Sequence, residues 1–125
     1  MESFRIETEI ARAETLPGRA YGDPAVWERS RERVFARSWQ YLPAARDLPA
    51  GDGAAPLTLL EGCLDEPLVL TRHRGRVRCL SNVCTHRAAV VVGDARECNH
   101  LRCPYHGRRF RLDGTLEHMP EFQEV

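Results

Sequence analysis

Lysine is absent from this sequence: all 18 basic residues are arginine, and 18 acidic residues balance them to a formal charge of zero. No global field therefore argues for nucleic acid or a membrane surface as a partner. The arginine bias is compositional and implies no function by itself. Long apolar runs are missing as well. Nothing in MESFRIETEIARAETLPG could serve as the apolar stretch of a signal peptide, and no segment approaches the length of a membrane span. The expectation is a soluble, cytoplasmic protein. Cysteines number only five, an odd count with no export signal, which argues against a disulfide scaffold and leaves metal binding or plain burial for the thiols. No internal repeat or low-complexity tract is visible, and 125 residues suffice for one ordinary domain.

The first twenty residues are polar and patternless, as in an arm. Gly22-Asp23-Pro24 then predicts a helix over residues 24–37, with Asp23 as its cap and Pro24 at the first helical position. Trp27, Val34 and Phe35 share one face of it and are expected in a core. From Trp39 the pattern changes to short apolar runs between turn formers. WQYLP, PLTLL, EPLVLT and RVRCLSN read as strands, with Pro49–Gly53 and His73-Arg74-Gly75 as connections. Asp113-Gly114 predicts a hairpin in which both central residues take positive φ. In RVRCLSN, alternation puts Arg76 and Arg78 on a solvated face and Val77 and Cys79 on the buried one. Strands at this density with no helices between them argue for a small antiparallel β domain behind a helical lead.

Residues 84–106, CTHRAAVVVGDARECNHLRCPYH, hold three of the five cysteines and three of the five histidines. Two pairs stand out, Cys84-Thr85-His86 and Cys103-Pro104-Tyr105-His106, separated by sixteen residues, 87 to 102. Structural zinc sites usually take ligand pairs spaced by two to four residues, so that both side chains reach one ion. Cys84 and His86 are spaced by one. In extended backbone, side chains two positions apart project to the same side roughly 6–7 Å apart. Such a pair spans a dinuclear centre more comfortably than it chelates one ion, though a zinc module remains the competing reading. A two-iron, two-sulfide cluster with two thiolates on one iron and two imidazoles on the other needs one cysteine and one histidine from each loop.

With CTHR at 84–87 and CPYHG at 103–107 as its two cluster loops, the sequence resembles the Rieske family over roughly residues 39–122. The resemblance implies a mostly β fold, a small antiparallel β-sandwich or barrel-like domain over 39–125 with a two-loop cluster-binding subdomain, preceded by an arm and one N-terminal helix over 1–38. It further implies a [2Fe-2S] cluster, with Cys84 and Cys103 on the inner iron and His86 and His106 on the outer one. Arg87, Tyr105 and Gly107 would shape the loops: Gly107 lets backbone approach the centre, Arg87 pairs with a carboxylate or meets a partner, and Tyr105 packs on the cluster or donates a hydrogen bond to it. High-potential members carry a disulfide between the loops and a serine after the second glycine. Here Ala89, Tyr105 and Arg108 occupy those positions, which implies a potential at the low end of the Rieske range.

The lead YGDPAVWERSRERVFARSWQYLPAARDLPAGD and the tail LDGTLEHMPEF resemble ring-hydroxylating oxygenase α subunits more than a free-standing Rieske ferredoxin. The resemblance implies an electron path from a ferredoxin or flavin reductase, through the cluster, to a mononuclear iron in an oxygenase catalytic domain, across a subunit boundary. Two departures, Ala88 for the family's glycine and Arg108 for its tryptophan, leave cluster binding intact but weaken any assignment to a substrate subgroup. The family's mononuclear iron histidines lie five apart, and no pair among 73, 86, 100, 106 and 118 does. The chain is therefore expected to be the electron-transfer portion of such an enzyme and not to hydroxylate alone. Cys98 and His100 are expected to be bystanders on the strand into the second loop, Asp94 and Glu97 solvated turn residues, and His73 and His118 exposed.

Overall fold

A computed structural model describes residues 4–120, and within it the chain divides into two compact units, Met1–Trp39 and Gln40–Val125. The ends of the predicted arm and β domain, residues 1–3 and 121–125, lie outside the described residues, as does the close of LDGTLEHMPEF.

The first unit holds a 3-10 turn (Ile10–Arg12), α1 (Arg19–Gly22), α2 (Pro24–Arg33) and a second 3-10 turn (Phe35–Arg37). Asp23 caps α2 as its sequence position implies, its carboxylate accepting the Ala25 N–H at 2.9 Å. The helix is shorter than expected, because Val34 leaves helical geometry at φ −111° and the chain tightens behind it. Trp27 and Phe35 do meet, with ring centroids 5.8 Å apart. They are not core, however: Trp27 is 47% exposed and Val34 55%. A ten-residue helix needs a second layer to bury its apolar face, and α2 contains no buried residue.

In the second unit β1 (Gly53–Leu59), β2 (Glu66–His73), β3 (Arg76–Ser81) and β4 (Arg96–Glu97) form one antiparallel sheet in the order β3-β2-β1-β4. A second antiparallel sheet runs β5 (His100–Arg102), β6 (Arg109–Arg111), β7 (Leu116–His118). The fold is mostly β, and both sheets are open. PLTLL, EPLVLT and RVRCLSN fall on β1, β2 and β3. WQYLP forms no strand: Trp39–Leu42 is irregular and leads into a 3-10 turn at Pro43–Arg46. A strand needs a ladder partner, and this segment pairs with none of the strands of either sheet. Among the described residues no helix is long and apolar enough to cross a membrane.

Alternation in β3 runs opposite to the sequence reading. Leu80 packs against the core and Arg78 shares its parity, whereas Val77 and Cys79 face outward and are exposed. Leu80 sets the inward face, and the arginine stem can lie along it because aliphatic carbons carry the guanidinium. His73 is half-buried rather than free: its Nδ1 lies 2.7 Å from Asp52 Oδ2, while Asp52 Oδ1 accepts the Arg74 N–H at 2.8 Å. The Arg74 N–H, then His73, hold the Asp52 carboxyl below its usual range. His118 is half-buried too.

The Asp113-Gly114 hairpin forms, but only Gly114 takes positive φ, at 90°. Arg111 N–H donates to Thr115 O at 2.8 Å across three loop residues, with Asp113 Oδ1 accepting from Thr115. A three-residue loop needs just one left-handed position. The core draws on both sheets: Ala54, Val69, Val91, Val92, Leu101 and Leu112 are buried together with two thiols, Cys84 and Cys103. Thr71, wholly buried, bonds through its hydroxyl to Leu112 O at 2.6 Å and ties β2 to the second sheet.

Candidate metal centre

The first motif lies between β3 and β4 and the second between β5 and β6. The two loops close alike. Cys84 N–H donates to Ala89 O at 2.8 Å and Ala88 N–H to Cys84 O at 3.0 Å; Cys103 N–H donates to Arg108 O at 2.9 Å and Gly107 N–H to Cys103 O at 3.1 Å. The fifth residue of each is left-handed, Ala88 at φ 54° and Gly107 at φ 75°. CTHRAA and CPYHGR are thus the same turn, with cysteine first in both and histidine third in one and fourth in the other.

That equivalence supplies a prediction. Left-handed geometry costs a residue with a Cβ about 1–2 kcal/mol, partly offset in Ala88→Gly by about 0.5–1 kcal/mol of added freedom in the unfolded chain. Ala88→Gly should raise the melting temperature by about 2–4 °C. Gly107→Ala should lower it by a similar amount, since a Cβ there meets nothing closer than 3.5 Å and only the backbone objects. Differential scanning calorimetry of the pair checks both signs.

The first loop is pinned by Asn82, which is 2% exposed. Its side chain donates to Val92 O at 2.8 Å and accepts the Val92 N–H at 2.9 Å, and its carbonyl accepts the Val91 N–H at 3.0 Å. Between these anchors Val83 bridges Val90, so the loop leaves and rejoins the core at fixed points.

The four candidate ligands come together as two unlike pairs. Cys84 and Cys103 are each 2% exposed, unoxidised and within hydrogen-bonding reach of each other. Burial pushes the Cys103 thiol up, but the Tyr105 N–H, the Cys84 thiol, the His106 N–H and the Arg108 charge outweigh it, and the net direction is down. The imidazoles of His86 and His106 are exposed, with ring centroids 4.8 Å apart. Loss of water, then the charges of His106, Arg108 and Arg87, hold His86 below its usual range, which favours the neutral ring, the form that binds metal. Tyr105 lays its ring against His106 at 3.8 Å and is 59% exposed. Arg87 is exposed beside His86.

Cys98 and His100 stand apart from this set. Cys98 packs on the core, and His100 leads β5 with Nδ1 2.6 Å from Asn99 Oδ1. Both line an open cleft of about 1080 Å³ that also reaches Tyr105 and His106. Asp94 and Glu97 are exposed. Sequence reasoning gave no role to Arg108, which reaches across both loops: Nη1 donates to Thr85 Oγ1 at 2.7 Å and Nη2 meets the Met119 sulfur. The signal was its position, directly after the glycine of CPYHG.

The donor chemistry fits a two-iron cluster better than one ion. Among the described residues no three His, Cys, Asp or Glu side chains converge as a single-ion site requires. Thiol instead pairs with thiol in the core and imidazole with imidazole at the surface, the division that a cluster with Cys₂ on one iron and His₂ on the other demands.

A family model for the Rieske [2Fe-2S] domain matches residues 38–125. The carnitine monooxygenase oxygenase subunit of Escherichia coli (strain K12) is 34% identical over 113 residues, which is 89% of this chain and 29% of that protein. The large oxygenase component of the naphthalene 1,2-dioxygenase system of Pseudomonas aeruginosa is 33% identical over 107 residues, covering 84% of this chain and 23% of its own. Among solved structures, the apo form of a quaternary ammonium Rieske monooxygenase superposes with a TM-score of 0.76 at 28% identity, over 90% of this chain and 32% of the other. The chain spans less than a third of the length of each of these relatives. With the family model covering the whole β unit and the two Cys-His loops inside it, the chain belongs to the Rieske [2Fe-2S] domain family, and its cofactor is a Rieske-type cluster.

Proposed function

We propose that Cys84, His86, Cys103 and His106 hold the [2Fe-2S] cluster and that the chain relays single electrons as the Rieske portion of an oxygenase α subunit. The observation that carries this reading is the burial contrast, thiols in the core and imidazoles at the surface. When bound, such a cluster accepts and releases one electron at a time. The residues around it do the rest. The core about Cys84 and Cys103 keeps water from the inner end, and the N–H groups of Tyr105 and His106 stabilise the Cys103 thiolate. The outer imidazoles, with Tyr105 stacked on one, form the exit edge.

The shared segment is similar to a protein named for carnitine and to one named for naphthalene, at 34% and 33% identity. A quaternary ammonium compound and an aromatic hydrocarbon have little chemistry in common, so what this segment contributes is independent of substrate, as electron delivery is. A ferredoxin or flavin reductase would supply the electron, and a mononuclear iron in an oxygenase catalytic domain, of the same or a neighbouring subunit, would receive it.

Anaerobic purification should give a red-brown protein with close to two irons and two labile sulfides per chain. No second cysteine pair braces the loops, so its midpoint should fall toward the low end of the Rieske range, near about −150 mV. A midpoint well above zero would sink the oxygenase-type reading, and a colourless zinc protein would sink the cluster itself.

A further inference from the structure

We propose that Arg108 is a positioning residue for the cluster: its guanidinium clamps the first loop to the second through Thr85 and sets a permanent positive charge beside the histidine end. The proposal rests on the cluster reading above.

Three observations place the clamp. Arg108 belongs to the second loop by its backbone, since its carbonyl closes that turn on the Cys103 N–H at 2.9 Å. Its side chain belongs to the first, since Nη1 donates at 2.7 Å to the hydroxyl of Thr85, the residue between Cys84 and His86. Nη2 rests on the Met119 sulfur, so the guanidinium is held from two sides. One residue thus links the two ligand loops, between which no other side-chain hydrogen bond is seen among the described residues save that of the thiols. Thr85 is exposed, and nothing else among the described residues bonds to its hydroxyl. The Arg108 Nε–H is buried with no acceptor among the described residues; an unpaired buried donor is costly, and the sulfur acceptors of a bound cluster would offset that cost.

Two separable consequences follow. A hydrogen bond between the loops slows their parting and so slows cluster release. A fixed positive charge favours the reduced cluster, which carries one more electron, and so raises its midpoint. Thr85→Val removes the first and keeps the second. Arg108→Gln removes both, and Arg108→Lys keeps the charge but cannot span Thr85 and Met119 with one ammonium group.

The test uses the full chain with its cluster, measuring bleaching under excess iron chelator and the midpoint by dithionite titration followed by EPR. Thr85→Val should release the cluster about fivefold faster, roughly the worth of one hydrogen bond, at an unchanged midpoint. Arg108→Lys should behave the same way. Arg108→Gln should release it at least as fast and lower the midpoint, and adding Thr85→Val to it should change release no further. Wild-type release in Thr85→Val overturns the clamp, and equal midpoints in Arg108→Lys and Arg108→Gln overturn the charge effect. Should Arg108→Gln fail to fold, Thr85→Val still decides the clamp and Arg108→Met serves as the neutral variant for the charge, a midpoint below that of Arg108→Lys supporting it and an equal one overturning it. A wild-type protein that assembles no cluster refutes the cluster reading instead; amide exchange across residues 85–87 then reads the clamp directly, faster exchange in Thr85→Val supporting it and equal exchange overturning it.

Discussion

Cys103→Ser should abolish the visible bands and the EPR signal of the cluster, whereas Cys98→Ala should leave both within about a tenth of wild type. The two cysteines lie five positions apart on either side of β5, and both touch the core. What separates them is company. Cys103 is 2% exposed, meets the Cys84 thiol and is drawn toward thiolate by the N–H groups of Tyr105 and His106. Cys98 has no such donors at its sulfur except His100 N–H, and burial pushes its thiol up, so it stays protonated and a poor ligand. Serine cannot stand in at position 103. Its hydroxyl remains protonated where a thiol ionises, and hard oxygen is a weak partner for iron that prefers thiolate. Ultraviolet–visible and low-temperature EPR spectra of the two variants, purified side by side without oxygen, check the pair. Loss of the signal in Cys98→Ala would redraw the ligand set.

The parts of this molecule that could be read from sequence are those whose physics is local. The spacing of cysteine and histidine in CTH and CPYH is a property of three or four consecutive residues, and so is the Asp23-Pro24 cap of α2, which forms as expected. PLTLL, EPLVLT and RVRCLSN carry enough apolar residues to be strands wherever they pair. What escaped the sequence depends on partners far along the chain. WQYLP has the composition of a strand but pairs with neither sheet. The parity of β3 is decided by Leu80 against the core, which no count within RVRCLSN reveals. Trp27 and Phe35 pair with each other yet stay exposed, because helical spacing predicts a common face and says nothing of what covers it. Arg108 reached Thr85 across 23 positions, a contact visible only once both turns have closed.

Asn82 is the other residue whose weight sequence reading missed, and its replacement should have the largest effect on stability. Asn82→Leu keeps the branched outline of the side chain, though with bulkier methyl groups, and removes two hydrogen bonds at once, leaving the N–H and C=O of buried Val92 without partners. An unpaired buried polar group costs about 1–3 kcal/mol, so the substitution should destabilise by about 3 kcal/mol, a large part of the roughly 5–15 kcal/mol that holds a domain of this size together. The melting temperature should fall by about 10 °C. Because Asn82 and Val92 bracket the first cluster loop, amides of Val91 and Val92 should lose protection first, and the cluster should bleach before the sheets unfold. Asn82→Asp offers a control on the mechanism: it keeps the acceptor for Val92 N–H but sets a carboxylate against Val92 O, so it should be at least as damaging at neutral pH and recover in part on acidification, when the protonated acid can donate again. Thermal melts followed at the cluster bands and in the far ultraviolet separate loop loss from global unfolding. Coincident transitions at the wild-type temperature in Asn82→Leu would show that the first loop is held by its flanking apolar residues, Val83, Val90 and Val91, and not by this side chain.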